Sequence, residues 1–256
     1  MFPLTYDFSG KRAIVTGAAS GIGAATARAL ADAGAAHIAL VDIDAERLAA
    51  LDLACETTLY SGDVADEQLW RAVEDDGGGL DLALLNAGIA GTAAPVAQLS
   101  LDDWRRVMSV NLDGLFLSLR CAMRMAGDGA AIVVTASVAG VKAEPGIGPY
   151  GASKAGALHL AKIAAKEGAA RAIRVNAIAP GGVDTGLWDG MEFFEDLREK
   201  HRGDRSAALL ELARGMTPMG RFETADEIAS QAMFLLSPAS GTMTGTVMVS
   251  DGGYSL

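Results

Sequence analysis

The sequence predicts an α/β fold: one doubly wound parallel sheet of about seven strands, with helices on both faces, in a single domain over residues 1–256. Three observations predict it. Short runs rich in Val, Ile, Leu and Ala alternate with helix-period segments along the whole chain. The strand-like runs are apolar at successive positions rather than at every second one, as in strands covered on both faces. Half of the 256 residues are hydrophobic, enough for one large core.

The elements follow in order. Arg12 to Thr16 reads as the first strand, followed by a glycine-rich turn and an alanine-rich helix to about Ala33. His37 to Asp42 is the second strand and Ala45 to about Leu53 a helix. Thr57 to Ser61 is the third strand, Asp66 to Glu74 a helix, and Leu80 to Leu85 the fourth strand. A long helix is expected from Leu101 to about Met125, then a strand over Ala131 to Ala136. Pro149 suits the first turn of a helix, where a missing N–H costs nothing, and that helix should run to about Gly168. Ile173 to Ile178 is a strand, Ala225 to Leu236 the last helix, and Val247 to Val249 the last strand.

Residues 186–215 break this rhythm, being mixed, charged and partly aromatic. Ligands in such folds bind beyond the carboxyl ends of the strands. The segment therefore reads equally as a substrate lid or as an extra pair of surface helices.

Composition excludes several functions. The net charge is −11 and no basic run occurs, so neither nucleic acid nor an anionic membrane surface is an expected partner. Cys55 and Cys121 lack metal-ligand spacing and suit a reducing cytoplasm as packing residues. Asp7 comes early and no long apolar stretch opens the chain, so no signal peptide is expected. No apolar run reaches the ~18 residues that span a bilayer. His37, His159 and His201 are scattered, and no metal site is expected. Trp70 and Trp104 read as packing residues.

Two clusters carry chemistry. The first strand leads into Thr16-Gly17-Ala18-Ala19-Ser20-Gly21-Ile22-Gly23. Glycines there let the backbone turn sharply and approach a pyrophosphate, while the next helix offers free N–H groups and its positive end. Asp42 ends the second strand, 19 residues beyond Gly23 (42 − 23). A carboxylate at that place accepts bonds from an adenosine ribose and repels a 2′-phosphate. No Lys or Arg stands at Ala18, Ala19, Ser20 or Ile43 to pair with such a phosphate, so NAD is expected rather than NADP. Read alone, Asp42 could also merely start a turn or cap the next helix.

The second cluster is Tyr150 and Lys154, four apart near a helix start and so on one face. A neighbouring ammonium favours the tyrosinate and lowers its pKa, fitting the phenol to exchange a proton with an alcohol or ketone. Ser137 follows a strand, where its hydroxyl could hold a substrate oxygen. Each feature alone is commonplace: a surface Tyr–Lys pair, a turn serine.

Together, in this order and spacing, they resemble the short-chain dehydrogenase/reductase family over nearly the whole chain. The glycine motif matches Gly17, Ser20, Gly21, Ile22 and Gly23; the adenine-side positions match Asp63-Val64; a further motif matches Asn86-Ala87-Gly88. The resemblance extends to Asn176 and Asp251-Gly252-Gly253, and places the active-site tetrad on Asn111, Ser137, Tyr150 and Lys154. Pro180, Gly181, Val183 and Thr185 resemble the segment that binds the nicotinamide carboxamide. The resemblance implies a Rossmann-like fold and an NAD-dependent oxidoreductase with Tyr150 as general acid/base. Lys154 would lower its pKa and bond the nicotinamide ribose, and Ser137 would polarise the substrate oxygen. Asn111 would hold a helix open around a water, so that a proton passes from Tyr150 through ribose and Lys154 to solvent. Hydride transfer on the pro-S face and a homotetramer, or a dimer, are also implied. The subunit contacts would use helices 101–125 and 149–168 and the last helix and strand.

The substrate pocket should be lined by Ile89 to Val96, Val138 to Gly148, and the lid. Leu187, Trp188, Met191, Phe193 and Phe194 open the lid, and its cations interleave with Glu192, Glu195, Asp196 and Glu199. The expected substrate is thus a fairly apolar secondary alcohol or ketone, cyclic, aromatic or steroid-like. Alternatives are a sugar or polyol, a 3-oxoacyl group on a carrier protein, and a non-catalytic dinucleotide sensor. Asp42 and the acidic charge oppose the carrier-protein reading, and the complete tetrad opposes the sensor.

Overall fold

In a computed structural model, residues 6–256 are described. The first half contains β1 (Arg12–Thr16), α1 (Gly21–Asp32), β2 (His37–Asp42), α2 (Ala45–Ala49), β3 (Glu56–Ser61), α3 (Glu67–Asp75) and β4 (Leu80–Leu85). Then come α4 (Leu101–Met108), α5 (Gly114–Met125), β5 (Ala126–Thr135), α6 (Gly148–Gly168) and β6 (Arg174–Pro180). The chain ends with β7 (Val183–Asp184), α7 (Glu192–Lys200), α8 (Arg205–Met216), β8 (Glu223–Thr224), α9 (Ala225–Leu236) and β9 (Val247–Ser250).

Seven parallel strands form the main sheet in the order β3-β2-β1-β4-β5-β6-β9, while β7 and β8 pair separately. Alternating side chains feed two cores. Ile14, Val134 and Val175 face a core completed by Trp70, Leu119 and Ala161 from α3, α5 and α6. Val15, Leu40 and Ile178 face the other, with Leu30, Leu48 and Ile228 from α1, α2 and α9. This two-sided burial is why the strands read as continuous apolar runs.

The strand order reverses between β1 and β4: β2 and β3 lie on one side of β1, and β4, β5, β6 and β9 on the other. The carboxyl ends of β1 and β4 therefore border the crevice where such sheets bind ligands.

The expected bounds of β1, β2, β4 and α9 match those observed. The helix expected over 101–125 runs its length with a π-helical turn at Ser109–Asp113, around Asn111, where the resemblance implies a locally open helix. Two elements depart from expectation. The helix expected to reach Leu53 stops at Ala49, and Leu51 and Leu53 pack against the core from non-helical chain. β5 starts at Ala126, before the expected Ala131, because an irregular register joins Leu80 to Ala126 ahead of Leu82 to Ala131.

Candidate active site

The glycine turn joins β1 to α1 and is shaped by contact. A Cβ on Gly23 would lie 2.0 Å from the Gly17 carbonyl oxygen, and one on Gly17 would lie 2.8 Å from Asn86 Nδ2. Neither position has room for a side chain, so the backbone can fold tightly against the end of β4. Ser20 stands at the N-cap of α1 but makes no side-chain cap bond. The first N–H groups of α1 are thus left for a ligand, at the positive end of the helix. A pyrophosphate fits this cradle.

Thr16 and Asn86 lock the turn in place. The Thr16 hydroxyl accepts from the backbone N–H groups of Asn86 (2.8 Å) and Ala87 (3.0 Å), and Asn86 Nδ2 donates to the Thr16 carbonyl at 3.3 Å. The sequence placed Thr16 in the motif without giving its hydroxyl this task. Asp42, at the tip of β2, accepts from the N–H of Ala19 (2.9 Å) and of Asp44 (2.9 Å). It therefore pins the glycine turn and orders its own turn as well. Asp63 is exposed and accepts from Ala65 N–H, while the buried Val64 carbonyl accepts from Trp70 Nε1 at 2.7 Å.

The tetrad residues converge at the carboxyl ends of β4 and β5. Asn111 lies within the π-helical turn, and its side chain clamps the backbone of Ile89: Oδ1 accepts from Ile89 N–H at 2.8 Å and Nδ2 donates to Ile89 O at 2.9 Å. Nδ2 also donates to Ser153 Oγ at 3.2 Å, and Ser153 donates to Tyr150 O at 2.7 Å. Ser153 ties Asn111 to α6 and was not singled out from the sequence, although it directly precedes Lys154. A Cβ on Gly88 would sit 3.2 Å from Asn111 Oδ1 and 3.4 Å from Lys154 Nζ, so the Gly88 backbone passes close to both side chains.

Tyr150 and Lys154 occupy successive turns of α6, with Nζ 5.7 Å from the phenol ring centre. Burial pushes the Tyr150 phenol above its ordinary pKa, against an opposing hydrogen bond from Ser137. Burial pulls Lys154 down to about 8. The lowering expected from Lys154 is not seen in the protein alone, where burial is the dominant influence on Tyr150 and Ser137 the opposing one. Ser137 caps the short turn Val138–Gly140, accepting from Ala139 N–H at 3.1 Å, and its hydroxyl lies against Tyr150.

Beyond β6, Gly181 N–H donates to Ser250 O at 2.7 Å, and Val183 pairs with Glu223 in the small sheet. A Cβ on Gly21 would sit 3.2 Å from Thr185 Cγ2, so Thr185 lies over the start of α1. Residues 186–215 fold as a helix pair with its own small core. Phe194 is fully buried there with Leu209 and Phe222, and Trp188 stacks on Phe222 at 5.1 Å. Of the apolar residues expected to face substrate, Phe194 is therefore consumed by lid packing. Leu187 and Phe193 stay exposed. Ala94 bridges to Ile147, joining the two other stretches expected around the pocket.

Of the histidines, His37 bonds Thr58 Oγ1 at 2.9 Å and His201 pairs with Glu211 at 2.7 Å. Among the described residues no group of three His, Cys, Asp or Glu side chains could hold a metal ion. No described helix is long and apolar enough to cross a membrane.

Comparison with known proteins places this geometry. A family model described as "Enoyl-(Acyl carrier protein) reductase" matches residues 17–255. The chain is 38% identical to cis-4-hydroxycyclohexanecarboxylate dehydrogenase of Sinomonas cyclohexanicum, over 97% of this chain and 98% of the relative. It is 39% identical to D-threitol dehydrogenase of Mycolicibacterium smegmatis, over 98% and 96% respectively. The crystal structure of carveol dehydrogenase from Mycobacterium avium in complex with NAD superposes with a TM-score of 0.90 at 28% identity, covering 98% of this chain and 99% of the other. With a parallel sheet, a glycine turn and a Tyr–Lys pair set as described, the chain belongs to the short-chain dehydrogenase/reductase family.

Proposed function

We propose that the protein is an NAD(H)-dependent oxidoreductase that interconverts a secondary alcohol and its ketone on a fairly apolar cyclic substrate. The observation that carries the reading is the buried Lys154 ammonium 5.7 Å from the Tyr150 ring centre, one helical turn away, with Ser137 in the turn that follows β5. When bound, the nicotinamide supplies or accepts the hydride. Ser137 donates a hydrogen bond to the substrate oxygen and orients it. Tyr150 exchanges a proton with that same oxygen. Lys154 places a positive charge one helical turn away, and Asn111 fixes Ile89 and, through Ser153, the start of α6.

The residues that would hold the dinucleotide are set out along the crevice. Gly17, Ser20, Gly21, Ile22 and Gly23 would take the pyrophosphate. Asp42 would take the adenosine ribose, and Asp63, Val64, Asn86, Ala87 and Gly88 would line the adenine side. Tyr150, Lys154, Pro180, Gly181, Val183 and Thr185 would hold the nicotinamide half. Asp42 supports NAD: each carboxylate oxygen accepts one backbone N–H and keeps a further lone pair for a ribose hydroxyl. The complex of carveol dehydrogenase with NAD and the cyclic-alcohol name of the Sinomonas relative support the same reading. The D-threitol dehydrogenase favours a polyol as the second reading.

A homotetramer accounts for Trp104, Phe116, Ile163 and Val249, which are exposed on α4, α5, α6 and β9. The free thiols Cys55 and Cys121 suit the reducing cytoplasm.

The test is NADH or NADPH formation from cyclic alcohols, hydroxysteroids and polyols. NADH from a cyclic alcohol, lost in Tyr150→Phe, is the expected result, and Asp42→Ala should admit NADP. Activity with NADP alone would overturn the role of Asp42. Activity with polyols alone would overturn the substrate class.

A further inference from the structure

The entry to the lid and the start of its second helix meet at one side chain. Arg205 opens α8 and reaches back across the insertion. Its Nη1 donates to Asp184 Oδ1 at 2.6 Å, its Nε to Asp189 Oδ1 at 2.9 Å, and its Nη2 to the Thr185 carbonyl at 2.7 Å. The guanidinium also lies 5.9 Å from the Phe194 ring centre, above the lid's own core. A cation in the first turn of a helix opposes the helix dipole, so this placement does not serve α8. It is offset by the two carboxylates in front of the lid. Each ion pair is partly exposed and worth little alone. A planar fork that engages two carboxylates and a carbonyl at once fixes geometry instead.

The carbonyl it fixes belongs to Thr185, whose methyl group lies over Gly21 at the start of α1. We propose that Arg205 is a positioning residue: it holds Thr185 in place for the nicotinamide half of the dinucleotide and makes lid closure and cofactor grip one event. This rests on the cofactor reading given under Proposed function. The Asp184–Thr185 backbone, the lid entry at Asp189 and the start of α8 at Arg205 then move as one body. Lysine cannot replace the fork, because a point charge on a flexible stem does not satisfy three partners in one plane.

The test separates the two halves of the cofactor. NADH binding is followed by fluorescence and ADP-ribose binding by calorimetry, in the wild type and in Arg205→Met, Arg205→Lys and Asp189→Asn. Arg198→Met serves as control, since among the described residues the Arg198 side chain pairs only with Glu195, within α7. In Arg205→Met, NADH affinity should fall roughly tenfold, with ADP-ribose affinity unchanged within about twofold. The KM for the dinucleotide should rise in step, while kcat at saturation falls less. Arg205→Lys should recover less than half of the loss. Asp189→Asn, which leaves the Thr185 bond in place, should show a smaller change in the same direction, and it keeps the test open if Arg205→Met does not fold. Arg198→Met should change neither ligand. Unchanged NADH affinity in folded Arg205→Met overturns the proposal, as does equal weakening of NADH and ADP-ribose. If the wild type binds neither ligand, the cofactor reading itself falls, and this proposal falls with it.

Discussion

Lys154 Nζ donates a 3.0 Å hydrogen bond to the carbonyl oxygen of Thr135, at the end of β5, from inside a site where the lysine is almost wholly buried. One carbonyl is thin compensation for a buried ammonium, and burial pulls its pKa from 10.5 to about 8.

This lysine costs the cofactor-free protein stability. Its folded pKa lies below its unfolded one, so stability rises as pH increases from about 8 toward 10.5, and that gain is lost as pH falls through about 8. Lys154→Met should abolish turnover. At pH 7 it should also stabilise the cofactor-free protein by about 1–3 kcal/mol, read by denaturant unfolding. A Met variant less stable than the wild type at pH 7 would refute this account of the strain.

Ser137 opposes the rise that burial imposes on the Tyr150 phenol. A raised phenol is ionised only at high pH, so alcohol oxidation should quicken, and ketone reduction slow, as pH rises. Ser137→Ala should move the ascending limb of kcat/KM for oxidation to higher pH and lower kcat/KM by roughly 10²-fold. An unmoved limb would separate Ser137 from the ionisation of Tyr150.

Gly23 admits no side chain. Its added methyl would lie 2.0 Å from the Gly17 carbonyl oxygen. Gly23→Ala should displace the turn, cost about 1–3 kcal/mol of stability, and weaken NADH binding by more than about 100-fold. Retained NADH affinity in this variant would place the pyrophosphate elsewhere.

The start of α9 is held by a reciprocal capping box between Thr224 and Glu227, with Arg221 paired to the same carboxylate at 2.7 Å. These bonds hold Glu227 down to about 2. Its contribution is therefore complete above the ordinary carboxylate range and is lost as pH falls through about 2. Thr224→Ala should cost about 1 kcal/mol, a fall in Tm of roughly 2–4 °C. Glu227→Gln should be less stable than the wild type above pH 5 by less than about 1 kcal/mol, because the Arg221 pair is half exposed and screened by salt. That difference should shrink toward pH 2. A gap that persists there would assign the effect to packing.

The sequence by itself determined the fold class and named most residues of the candidate site. Strands buried on both faces must be apolar along their length, and a glycine with no room for a Cβ cannot be replaced, so Ile14, Val134 and Gly23 were legible without coordinates. The four-residue spacing of Tyr150 and Lys154 fixed a shared helix face for the same local reason. The tertiary structure decided what depends on partners distant in the chain. The π-helical turn at Asn111 exists beside the Ile89 backbone it clamps, 22 residues away in sequence. Phe194 was expected toward substrate and faces Phe222 instead, because the two lid helices need a core of their own. The pKa values of Tyr150 and Lys154 follow burial, which a local spacing does not encode. In the sequence Arg205 is one of several lid cations interleaved with acidic residues. Only folding brings Asp184, Thr185 and Asp189 to its guanidinium, from up to 21 residues away.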